Sequence, residues 1–281
     1  MKLTRTTMMK TVCSLLIAGS LFSCQKEKVE AEQLPPEEIQ LQKAVQLFKD
    51  IPHPAEFSEE VTGIINRITE SKTLFITDIQ AVEEHDTDNL LILIDKRNNV
   101  GENYEPEDLV PLVKNSSYPI SRNDLSLRVP VEKALVVMAE AAKEDGISLL
   151  VSSTYRSYAY QTKLFQRYVD QDGEAMAERY SARPGTSQHQ LGVAIDFGSI
   201  DDSYAETKAG KWLAANAEKY GFSLSFPKEY EPITGYMWEC WHFRYIGDYA
   251  VAFQNNWFND VQQYMIEFVD CWRKAAAEMD M

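Results

Sequence analysis

The chain has 281 residues, 44% of them hydrophobic and 11% aromatic, which is enough apolar material for a packed core and excludes an intrinsically disordered protein. Its formal net charge of −15 argues against nucleic acid as a partner, because so acidic a surface repels phosphate.

Residues 1–23 read as an export signal, with Lys2, Arg5 and Lys10 ahead of a short apolar run and small residues. The run is too short to cross a hydrocarbon core of roughly 30 Å comfortably. The following "LFSC" resembles a bacterial lipobox and predicts that Cys24 is lipidated, which would anchor the protein to the membrane on its extracytoplasmic side; ordinary secretion is the alternative. Cleavage there removes three basic and no acidic residues and takes the charge to −18.

Residues 24–38, with "QKEKVEAEQLPPEE", have the composition of a flexible tether. Residues 39–88 are expected to form a helical extension from "IQLQKAVQLF" and "SEEVTGIINRI", with Ser58 as an N-cap and Glu59 and Glu60 favoured by the helix dipole. His53, between prolines, and His85, in an acidic turn, read as solvated loop histidines.

The main domain, 89–247, opens at "NLLILID", Asn89 to Asp95, a near-continuous apolar run expected to be a buried strand. A helix starts at Pro130 and stops before Gly146. Then come the strand "ISLLVSSTY", the helix "YAYQTKLFQRYVDQ", a polar loop, the strand "GVAIDF", the helix "ETKAGKWLAANAEKYG" and the strands "FSLSF" and "MWECWHFRYI". Without the regular repeat of a doubly wound sheet, this order predicts an α+β fold: a small, mainly antiparallel sheet with helices packed around it and a site in a cleft on the sheet. Residues 248–281 form a C-terminal helical extension whose aromatic stripe reads as core packing. Cys240 and Cys271 lie in the folded part, either bridged or as two buried thiols.

Along "GVAIDF", alternation puts Val193, Ile195 and Phe197 on one face and Ala194 and Asp196 on the other. A carboxylate on so apolar a strand is costly unless it is paired or bound to a cation. His189, in the loop just before, and His242, in "WECWHFRY", are natural co-ligands, and two histidines with one aspartate match the three protein ligands of a catalytic zinc. Glu239, three residues before His242, is the spare carboxylate that could take a proton from a metal-bound water. Residues three apart on a flat strand face opposite ways, so this pairing requires a turn or bulge at Cys240 and Trp241. Taken singly, His189 could cap a turn, Asp196 could pair with Arg156 or Arg183, and His242 could be a core histidine. Two-histidine, one-carboxylate sets also hold iron in oxygenases, but on double-sheet β architectures unlike this helix-rich chain.

"YRSYAYQTKLF", "SARPGTSQHQLGVAIDF", "KWLAANAEKYGF" and "ITGYMWECWHFRY" together resemble the bacterial zinc D-alanyl-D-alanine carboxypeptidases of the VanY type, a group that also includes L,D-carboxypeptidases. The resemblance covers about Asn89 to Gly247. It implies that His189, Asp196 and His242 bind Zn2+, that Glu239 is the catalytic base and acid, and that Arg156 holds the substrate's terminal carboxylate. Gln161, Ser187 and Trp241 would complete the substrate site. A guanidinium suits the carboxylate role because it offers two parallel charge-assisted hydrogen bonds; Arg183 and Arg244 are rivals for it. The chain departs from the family pattern at Gln188 (usually glutamate), at Ser225 and Phe226 in "LSFP" (usually an arginine-bearing "LRYP") and at Cys240 (usually proline). The expected activity is release of D-alanine from peptidoglycan stem peptides, with an L,D-carboxypeptidase and a non-catalytic wall-binding lipoprotein as alternatives.

Overall fold

A computed structural model describes residues 34–279; the export signal, Cys24 and most of the expected tether lie outside them. Helix α1 (Pro36–Asp50) begins three residues inside the stretch read as tether, because Pro36 is preset for the first turn and Glu37 and Glu38 suit its positive end. Helices α2 (Ser58–Glu70) and α3 (Lys72–His85) follow. Ser58 is not the cap expected of it: a 3-10 turn over Ala55–Phe57 has already curled the chain, which leaves Phe57 at the cap position and Ser58 inside the helix.

The other end of the chain supplies α9 (Asp248–Trp257) and α10 (Gln262–Met279). The two extensions share one core, in which Phe48, Ile64, Phe75, Ile79, Phe253, Phe258 and Phe268 are all buried. Phe75 meets the rings of Trp257 and Phe268 edge to face, each at 5.0 Å between centroids. His53 is no solvated loop residue either: its Nε2 lies 3.2 Å from the buried Glu267 Oε2 and its ring packs on Phe48 and Tyr264. His85 closes α3 and stacks on Tyr249 at 3.5 Å.

Between these ends lies the α+β body. A ribbon of β1 (Leu109–Pro111) and β2 (Ser126–Arg128) leads into α4 (Val129–Glu144). The main sheet contains β3 (Val151–Ser153), β4 (Ala194–Phe197), β5 (Phe222–Leu224) and β6 (His242–Tyr245) in the order β3-β4-β6-β5, with antiparallel pairings throughout. Helices α5 (Tyr158–Asp172), α6 (Glu174–Tyr180), α7 (Lys208–Asn216) and the short α8 (Glu231–Thr234) complete it. Val193, Ile195 and Phe197 sink into a second core with Leu135 and Met138 of α4 and Leu213 of α7. The opposite face of β4 therefore carries Asp196.

The run Asn89 to Asp95 is not the strand its composition suggests. It crosses between the two cores, with Leu90 and Ile94 in the sheet core and Leu91 in the helical one, so both sides are apolar without any strand pairing. Buried backbone still needs partners. Asp86 accepts from the amides of Leu90 and Leu91, while Arg244 Nη2 donates to the carbonyls of Leu90 (2.7 Å) and Ile92 (2.9 Å). Arg244 is thus spent on the scaffold, and burial lowers its pKa to about 10. Cys240 and Cys271 are buried free thiols belonging to different cores, so no bridge joins them.

If α3 is bolted to the C-terminal helices through Phe75, Phe75→Ala should lower the unfolding free energy by about 3–5 kcal/mol, read as a lower urea midpoint at unchanged m-value.

Candidate active site

Three elements carry the site. The 3-10 turn Gln188–Leu191 holds His189, and Ser187 caps it by accepting the His189 N–H at 3.3 Å. Gly192 ends the turn at φ +68°, where an added Cβ would lie 2.9 Å from the side chains of Arg128 and Leu109, so glycine alone lets the chain enter β4 here. On the sheet Asp196 of β4 is registered opposite His242 of β6, which places their side chains next to each other on one face. Glu239 comes from the turn before β6, closed by the His242 N–H on the Glu239 carbonyl at 3.2 Å. That turn brings Glu239 Oε2 to 3.3 Å from His242 Nδ1, as the three-residue spacing required.

Asp196 Oδ2 lies 3.2 Å from His189 Nε2, and Asp196 Oδ1 lies 3.1 Å from His242 Nδ1. His189 Nδ1 is 2.7 Å from the Thr154 carbonyl, which can only accept, so Nδ1 carries the hydrogen and Nε2 turns a lone pair toward the carboxylate. A lone pair facing a buried anion is repulsive unless positive charge lies between them. His189 Nε2 and Asp196 Oδ1 are both buried without a hydrogen-bond partner. Ligand atoms of His189, Asp196 and His242 all lie within 4.8 Å of one another, the one such group among the described residues. Two imidazole nitrogens and a carboxylate oxygen suit a divalent transition metal such as zinc, with Glu239 on its cleft side.

The electrostatics agree. Burial, with Arg156 nearby, pulls His189 down to about 4. Burial opposes ionisation of Asp196, yet positive charge at the imidazole pair beside it, the place a cation would take, holds its carboxyl well below the usual range. Burial would also lower His242, but the carboxylates of Asp196 and Glu239, 3.1 and 3.3 Å from its Nδ1, push it up to about 9. Glu239 is raised, chiefly by burial, which makes it a stronger base than an ordinary carboxylate.

Around this centre is a narrow cleft lined by Arg156, Ser187, Phe226, Tyr236 and Glu239. Arg156 reaches to 3.6 Å from Asp196 Oδ2 and its Nε has no partner. Gln161 is one layer behind: its Oε1 accepts from Arg156 Nη1 at 3.3 Å while its Nε2 donates to the Ala182 carbonyl, so it aims the arginine instead of lining the cleft. Trp241 is 9% exposed and packs in the sheet core, because the turn that delivers Glu239 to the cleft sends its neighbour inward. Arg183 is spent on Glu174 and Glu178 at the surface. Sequence reasoning missed Tyr236, whose buried hydroxyl is unpartnered at the cleft, although its position three residues before Glu239 was a usable signal. It also missed Asp95 and Gln263 on the cleft wall, which come from outside the motifs and left no signal in them.

A family model described as D-alanyl-D-alanine carboxypeptidase, VanY, matches residues 124–248. The YodJ protein of Bacillus subtilis (strain 168) is 37% identical over 63% of this chain and 68% of its own length. The bifunctional D-Ala-D-Ala dipeptidase and D-Ala-D-Ala carboxypeptidase VanXYC of Enterococcus gallinarum is 32% identical over 57% of this chain and 84% of its own. The solved structure of the LD-carboxypeptidase LdcB superimposes with a TM-score of 0.57 at 34% identity, covering 65% of this chain and 87% of that one. With most of each relative's length accounted for, this chain belongs to the VanY family of D-alanyl-D-alanine carboxypeptidases.

Proposed function

We propose that the protein is a zinc carboxypeptidase that removes the C-terminal D-alanine from peptidoglycan stem peptides. The observation that carries this reading is the buried convergence of His189, Asp196 and His242 with Glu239 at its open side, which leaves a place for positive charge and a free carboxylate next to it. Zinc held by His189, Asp196 and His242 would supply a water acidic enough to give hydroxide near neutral pH and a charge opposing that of the developing oxyanion. The chain's own residues do the rest. Arg156, aimed by Gln161, receives the terminal carboxylate and fixes the last peptide bond in front of Glu239. Glu239 takes the proton of the attacking water and returns it to the leaving amine, for which its burial-raised pKa fits it.

The likeness to LdcB favours a second reading of the same machinery, cleavage of the L,D bond at the end of tetrapeptide stems. Mass spectrometry of pentapeptide and tetrapeptide stems after incubation separates the two. The location we propose, on the outer face of a membrane through lipidated Cys24, rests on "LFSC" and its basic, apolar lead; Cys24→Ala should abolish incorporation of a labelled fatty acid.

Chelation should stop D-alanine release and added zinc should restore it; release by protein free of metal to below stoichiometric traces would overturn the mechanism. Glu239→Gln should keep its metal, by elemental analysis, yet lose about 10²- to 10⁴-fold in kcat, whereas Asp196→Asn should purify with little metal at all. Arg156→Lys should act mainly on substrate capture, seen as a raised KM, because a point charge replaces a planar fork.

A further inference from the structure

His242 turns its other ring nitrogen away from the cleft, toward a chain of buried amides. Its Nε2 lies 3.1 Å from Gln188 Oε1; Gln188 Nε2 faces Gln262 Oε1 at 3.4 Å; Gln262 Nε2 donates to the Ser223 carbonyl at 3.2 Å. The Ser225 hydroxyl donates to Gln188 Oε1 at 2.7 Å and lies 3.2 Å from Gln262 Oε1. Gln188, Ser225 and Gln262 are 7%, 2% and 1% exposed, so these bonds lie largely out of bulk water.

The direction of every bond follows from one end. A backbone carbonyl can only accept, so Gln262 must present Nε2 to Ser223 and Oε1 to Gln188. Gln188 must answer with its own Nε2, which turns its Oε1 to the imidazole. His242 must then carry hydrogen on Nε2 and offer its Nδ1 lone pair to the point it shares with Asp196. His189 is set by a carbonyl directly, through Thr154; His242 is set by a carbonyl two amides away.

Gln262 opens α10, outside the family-matched residues 124–248. We infer that the first turn of α10 is a positioning element for the metal site, with Gln262 acting through Gln188 to fix the tautomer and ring orientation of His242. The inference rests on the reading of His242 as a metal ligand. It gives the C-terminal helix a part in the chemistry beyond covering the body: the polarity of one glutamine in the helical layer decides which nitrogen of His242 is free to bind.

The test uses the full chain and the metals alone. Gln262→Met keeps the side chain's length and volume but has no amide to orient. Zinc affinity, by competition with a chelator, should fall about tenfold to a hundredfold in this variant, and to a similar degree in Gln188→Met. The double variant should lose no more than the worse single one, since both act through one chain of bonds. In cobalt-loaded wild type, proton NMR should show two exchangeable imidazole N–H signals, from His189 Nδ1 and His242 Nε2. Gln262→Met should keep the first and broaden the second by exchange with water, a selectivity that general loosening of the fold would not produce. If wild type shows both signals while Gln262→Met, or Gln188→Met should the former not fold, keeps both signals and full zinc affinity, the positioning role is overturned. If wild type binds neither metal, the ligand assignment fails instead.

Discussion

The buried carboxylate of Asp196 is the constraint around which the rest of the molecule is arranged. It stands on an otherwise apolar strand at 4% exposure, where an unpaired negative charge would cost several kcal/mol. Two imidazoles and a guanidinium are turned toward it, and each of these needs its own support. His189 leans on a carbonyl of the β3 edge, His242 on the amide chain ending at β5, and Arg156 on Gln161, itself tied to the loop after α6. The sheet, the glycine-terminated turn before β4 and the sharp turn before β6 read most simply as the means of bringing these supports to one place.

Much of this was legible because a polar residue on an apolar strand is informative in itself. Alternation alone put Asp196 opposite the core, and the scarcity of histidine narrowed its partners to His189 and His242. The Glu239 to His242 spacing even demanded a turn that the structure contains. What was misread has a common cause: periodicity reports burial but not pairing. The run from Asn89 is apolar on both sides because two cores flank it, and nothing in its composition says that the side chain of Arg244, not a neighbouring strand, satisfies the carbonyls of Leu90 and Ile92. The family resemblance puts Trp241 at the site, while the turn sends it into the sheet core. Gln188 and Ser225 stood out as departures from the family pattern, but their contact with each other and with Gln262 depends on a helix from outside the motifs.

The helical layer lies outside the family-matched residues 124–248, yet it is built into the body that carries the site. Segments from the two ends of the chain fold as one unit, and it meets the body through buried polar groups as well as apolar ones: Gln263 bridges Asp95 and Glu267, and Arg97 and His53 complete that cluster. Such a contact surface is specific in register, since a shifted helix would leave several buried groups without partners.

The shared core of α1 and α10 also governs the order in which the molecule can be completed. Helix α1 finds its principal partner in α10, some two hundred residues later in synthesis. At ribosomal speeds of about 5–20 residues per second, the apolar faces of α1 to α3 wait on the order of ten seconds or more for their cover. The nascent helices α1 to α3 are therefore natural clients for a chaperone until α10 has emerged to close the layer.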